Sequence, residues 1–164
     1  MEPVIVNNQG FVDKFMGDGI MALFPGSTNQ AVSAAIEMQN QLEMFNREQT
    51  CNGRPAIRIG IGLHRGDVML GTLGSDERLE TTVIGDSVNL SSRLEHLTKE
   101  RQVQIIISQA VFETLETPHP FNIQKLEDAK VRGKSKSIKI YQVIVSKSND
   151  SQYNSPGSGN GFND

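Results

Sequence analysis

Cysteine is almost missing from these 164 residues: Cys51 stands alone, so no internal disulfide can form. His64, His96 and His119 are scattered rather than set at ligand spacing, and with a single Cys no transition-metal site is written in the chain. No stretch approaches the ~18 consecutive apolar residues of a membrane span. The first four residues have neither a basic region nor an apolar run, so no secretory signal is expected and the reading is cytoplasmic. Excess charge of one sign is also lacking. With 16 basic and 19 acidic side chains the net charge is -3, which gives no footprint for wrapping a nucleic-acid backbone. Two phosphate-binding fingerprints fail as well. Gly133, Lys134 and Ser135 resemble the end of a Walker A loop, but Asp128 stands where its first Gly is needed. Gly60 and Gly62 would need a third Gly at Arg65 to make a dinucleotide fingerprint. A nucleotide as a small substrate stays open.

What is present is a chain with 37% hydrophobic residues and the length of one ordinary domain. Residues 11–16 and 20–24 read as a hairpin turning at Gly17, Asp18 and Gly19, which places Asp18 at the tip. Ser27 followed by Gln30 predicts a capping box. Ala31, Ala35, Met38, Leu42 and Phe45 then predict a helix ending near Gln49. Ile57, Ile59, Ile61 and Leu63 alternate with Arg58, Gly60 and Gly62, a strand with one packed face. A second hairpin is expected between residues 68–70 and 82–84. Leu90, Leu94 and Leu97 predict a helix over 86–97, on which Asn89 and Arg93, four apart, face the same way. Residues 103–107 read as a strand, 108–115 as a short helix, and 121–126 and 138–145 as closing strands. Residues 1–8 read as the end of a helix. The interleaving indicates an α/β or α+β fold over residues 1–145. Residues 146–164, rich in Ser, Asn and Gly, are expected to be a disordered tail, since they bury too little to offset the entropy of ordering.

Four segments occur in a telling order: 11–24, around Lys14 and Asp18; 59–68, with Gly60, Gly62 and His64; 83–93, with Gly85, Asn89 and Arg93; and 131–134, ending in Lys134. Together they resemble the catalytic domain of the class III nucleotidyl cyclases, of the bacterial adenylyl type, across residues 1–145. The resemblance implies a ferredoxin-like, palm-type mixed sheet flanked by helices. It implies a head-to-tail dimer, either a homodimer or a heterodimer with another cyclase chain, with active sites between subunits. One subunit supplies both metal aspartates; the other supplies the residues that read the base, orient the ribose and stabilise the transition state. The implied reaction converts ATP to 3′,5′-cyclic AMP and pyrophosphate with two Mg²⁺ or Mn²⁺ ions per site in complete members.

Carried over residue by residue, the resemblance makes Asp18 the second of the two metal aspartates, a hard oxygen ligand of the kind these cations prefer. Asp-Gly is equally ordinary turn chemistry. Lys14 and Thr82 match the positions that bind the purine. A Lys ammonium donates to adenine N1 and a Thr hydroxyl accepts from the N6 amine, whereas guanine presents O6 and N1–H, the opposite pattern. Asn89 and Arg93 match the catalytic ribose-orienting Asn and transition-state Arg. A planar, permanently charged guanidinium suits an α-phosphate under in-line attack. Lys134 resembles the triphosphate-contacting Lys, in a stretch where Lys130, Arg132, Lys136 and Lys139 read equally well as a solvated basic edge.

In complete members the first metal aspartate lies on an initial strand followed by two helices, all ahead of the position of Met1. The expectation is therefore an N-terminally truncated domain without that strand and those helices, in which neither Asp13 nor Glu2 substitutes for the aspartate. Such a sheet should show unpaired edges and an unfilled layer. Alone, the chain is expected to be inactive or severely impaired; the other reading is a non-catalytic or regulatory partner that dimerises or binds nucleotide.

Overall fold

The chain opens with a short helix, α1 (Glu2–Asn7), then a hairpin of β1 (Phe11–Met16) and β2 (Gly19–Leu23), and then the long helix α2 (Thr28–Cys51). Next come β3 (Ile61–Leu63), a second hairpin of β4 (Met69–Ser75) and β5 (Arg78–Ile84), and α3 (Asp86–Arg101). The remaining elements are β6 (Ile105–Ser108), α4 (Gln109–Phe112), β7 (Ile123–Lys125) and β8 (Ile140–Val143). The computed structural model describes residues 1–75, 78–129 and 137–146. Lys134 and nearly all of the 146–164 tail lie outside them.

Four strands pair in the order β3-β6-β8-β7, with β3 parallel to β6 and the other neighbours antiparallel. The expected mixed α/β architecture follows from how β6 is buried. Ile105 and Ile107 point to one face, where they pack with Val32 and Ala35 of α2 and Val111 of α4. Ile106 points to the other, against Leu90 and Leu94 of α3. Alternation along one strand thus anchors helices on both sides of the sheet.

Local chemistry explains where elements match their expected bounds. Ser27 Oγ accepts from Asn29 N–H at 3.2 Å and Gln30 Oε1 accepts from Ser27 N–H at 3.0 Å, closing the capping box that starts α2. The buried stripe of α2 is rotated from the expected one. It runs through Thr28, Val32, Ala35, Gln39 and Leu42, while Phe45 is exposed. Gln39 is buried because its amide donates to Ile59 O at 3.1 Å. The strand expected over 57–63 is shortened to β3 for a related reason. Asn46 donates to Ile57 O at 2.7 Å and accepts from Ile57 N–H at 2.8 Å, so α2 takes up the backbone groups a neighbouring strand would need.

Among the described residues the two hairpins form separate two-stranded sheets and pair with no strand of the four-stranded one. Where β2, α2 and β3 approach one another, an apolar cavity of ≈ 90 Å³ remains, lined by Ile20, Ala22, Ala31, Ala35, Ile61 and Leu63. On its other face β3 lies very close to α3. A Cβ placed on Gly62 would fall on the backbone N of Glu95 and the backbone O of Ser91, so only glycine permits this approach. Gly62→Ala is therefore expected to push α3 off the sheet and destabilise the fold by about 1–3 kcal/mol. The check is a urea titration, where a lowered midpoint is expected and an unchanged one would contradict the close packing.

Candidate active site

The tip of the first hairpin is a two-residue turn, Gly17-Asp18, closed by the pairing of Met16 with Gly19. Gly17 has φ +63 whereas Asp18 keeps negative φ, the pattern of a type II′ turn with glycine first. Asp18 is exposed there, as expected. Four residues earlier Lys14 sits in β1 and is half-buried. Its Nζ lies 3.2 Å from Asp13 Oδ2; the Asp13 side chain is 6% exposed and that of Lys14 35%. The two neighbours reach each other because the β1–β2 register shifts by one residue between Val12 and Lys14.

Asn89 and Arg93 stand four apart on α3, Asn89 exposed and Arg93 half-buried. Among the described residues neither enters a hydrogen bond or ion pair. The start of α3 is held by the 64–68 loop: Ser87 Oγ donates to Asp67 O at 2.9 Å, and Gly66 passes so close to Ser87 that a Cβ would meet its hydroxyl. That loop is anchored in turn. His64 Nδ1 is 2.8 Å from Ser108 Oγ at the end of β6, and Arg65 donates to Thr28 Oγ1 at 3.1 Å.

Thr82 lies in β5 opposite Gly71 of β4. The candidate residues thus fall into three groups: Lys14 and Asp18 on the first hairpin, Thr82 on the second, and Asn89 with Arg93 on α3, which packs on β3 and β6. Divalent Mg²⁺ or Mn²⁺ needs several oxygen ligands, and a pair of ions needs carboxylates grouped together. Among the described residues no three Asp, Glu, His or Cys side chains are so grouped. Asp18 offers one exposed carboxylate, while that of Asp13 is buried against Lys14. The donor set among the described residues does not by itself fit two cations. No helix among the described residues is long and apolar enough to cross a membrane.

Residues 8–145 match the family described as the adenylate and guanylate cyclase catalytic domain. An adenylate cyclase of Anabaena cylindrica is 46% identical over 140 residues, 82% of this chain and 28% of that protein. The terminal-differentiation-specific adenylate cyclase of Dictyostelium discoideum is 38% identical over 148 residues, 87% of this chain and 7% of that protein. The chain therefore spans well under a third of either relative. Among solved structures, the adenylyl cyclase CyaB from P. aeruginosa is similar with a TM-score of 0.76 at 26% identity, covering 89% of this chain and 77% of that one. The guanylyl cyclase Cya2 gives 0.72 at 31% identity, covering 90% and 77%. The shared architecture is the palm-like one that the sequence motifs imply.

Two supports of the site were not foreseen from sequence. The Asp13–Lys14 contact depends on a register shift with no local signature. The His64–Ser108 pair joins residues 44 apart that meet only because β3 and β6 run parallel. Ser108 Oγ also accepts from Val111 N–H at 3.4 Å as the N-cap of α4. Ser108→Ala removes the cap and the contact to His64 Nδ1, so a loss of about 1–2 kcal/mol is expected. Chemical denaturation measures it, and no loss would mean that the pair carries no stability.

Proposed function

The chain belongs to the adenylate and guanylate cyclase catalytic domain family, and from that premise we propose that it supplies the substrate-orienting half of a site that converts ATP to 3′,5′-cyclic AMP and pyrophosphate. In that reaction the ribose 3′-oxygen bonds to the α-phosphorus, the bond from that phosphorus to the bridging oxygen of pyrophosphate breaks, and the 3′-hydroxyl proton leaves. The observation that carries the reading is the imbalance of the site among the described residues: Asn89 and Arg93 enter no hydrogen bond or ion pair on α3, while Asp18 has no cluster of further metal-ligating side chains beside it.

Arg93 places a fixed positive charge where negative charge shifts at the α-phosphate, and it cannot lose its proton. Asn89, one helical turn away on the same face, fixes the ribose so that the 3′-oxygen is in line. Lys14 donates to adenine N1 and Thr82 accepts from the N6 amine, which favours ATP over GTP because a mismatched buried donor or acceptor is costly. Lys134 contacts the triphosphate. Cyclases of this family use divalent cations to neutralise the triphosphate; the carboxylates that hold them come here from a partner chain across a dimer.

The same lone carboxylate favours a second reading, a chain that pairs with another cyclase and binds nucleotide without turnover of its own. Both readings expect the isolated chain to form cyclic AMP at least about a hundredfold more slowly than a complete domain, the scale of losing a preorganised electrostatic contact or a metal. The assay is cyclic AMP release from purified protein whose fold is checked by circular dichroism. Turnover comparable to a complete domain would contradict the proposal.

A further inference from the structure

Consecutive side chains of a regular strand point to opposite faces. Asp13 and Lys14 meet nonetheless, because Val12 pairs with Ala22 and Lys14 with Met21, leaving Asp13 as the extra residue of a bulge. Asp13 Oδ2 is buried and accepts no hydrogen bond among the described residues; the ammonium of Lys14, 3.2 Å away, is its charge partner. A carboxylate buried to this degree is costly unless an opposite charge is held beside it. The ammonium is therefore tied down on one side.

That tie matters for recognition. A free Lys carries three rotatable donors on a flexible four-carbon stem, and such a group finds an acceptor on either purine, N1 of adenine or O6 of guanine. Discrimination needs the donor fixed at one place. We propose that Asp13 is a positioning residue that acts through Lys14 and sets the preference for adenine over guanine. This rests on Lys14 reading the base, and the test separates the two claims.

The test measures the affinities of the full chain for ATP and for GTP by displacement of a fluorescent ATP analogue, in wild type, Asp13→Asn, Lys14→Met and the double variant, with thermal unfolding alongside. The wild type is expected to prefer ATP. Asp13→Asn is expected to lower the ATP:GTP affinity ratio by about fivefold to tenfold, the scale of one charge-assisted contact. Lys14→Met is expected to collapse the ratio, and Asp13→Asn is expected to change nothing further once Lys14 is gone. An unchanged ratio in Asp13→Asn, with collapse in Lys14→Met, overturns the role of Asp13 and leaves the base-reading role of Lys14 standing. An equal effect of Asp13→Asn with and without Lys14 overturns it too, because a merely structural residue behaves that way. If the wild type binds no ATP or shows no preference, or if Lys14→Met leaves the ratio intact, the base reading itself falls and takes the role of Asp13 with it. Where Asp13→Asn does not fold, Asp13→Glu carries the same test: it keeps the charge but displaces it by one methylene, and an unchanged ratio again overturns the proposal.

Discussion

Burial of β6 on both faces is the constraint from which the rest of the arrangement follows. Ile105, Ile106 and Ile107 have no exposed surface, and each fully buried isoleucine contributes roughly 1.5–3 kcal/mol relative to an exposed one. Because their side chains alternate, one strand fixes α2 against one face of the sheet and α3 against the other. Its edges pair with β3 and β8, and its last residue, Ser108, reaches across to His64 at the end of β3. The loop that follows His64 then holds the start of α3 through Asp67 and Ser87. The position of Asn89 and Arg93 is thus set through a core strand that packs against the helix carrying them.

Elements whose causes are local were legible in the sequence. The capping box at Ser27 and Gln30 starts α2 as expected, the glycine at position 17 turns the first hairpin, and the spacing of Leu90 and Leu94 gives the buried face of α3. Features with long-range causes were not. The alternation from Ile57 to Leu63 looked like a strand throughout, but the side-chain amides of Asn46 and Gln39 take backbone groups before Ile61. Phe45 fits the periodicity of α2 yet lies exposed, because periodicity does not say how far a helix overhangs its sheet. Resemblance offered the candidate site residues as a set, and their roles are proposals. The contact between Asp13 and Lys14 was not legible, since a bulge is defined by two strands and leaves no mark in one.

The division of the candidate residues has a physical consequence. Lys14 and Asp18 share a hairpin that, among the described residues, pairs with no strand of the main sheet, while Asn89 and Arg93 ride on a helix packed against that sheet. The cavity bounded by β2, α2 and β3 lies at the joint between these two bodies. Missing packing there removes contacts that would couple them.

The most direct measurement mixes this chain with a complete cyclase of the same family disabled at its own transition-state arginine, and follows cyclic AMP formation. The account predicts that activity returns in the heterodimer, survives Asp18→Ala in this chain and is lost with Arg93→Ala. Demonstrated heterodimers that form no cyclic AMP, or activity that survives Arg93→Ala, would contradict it.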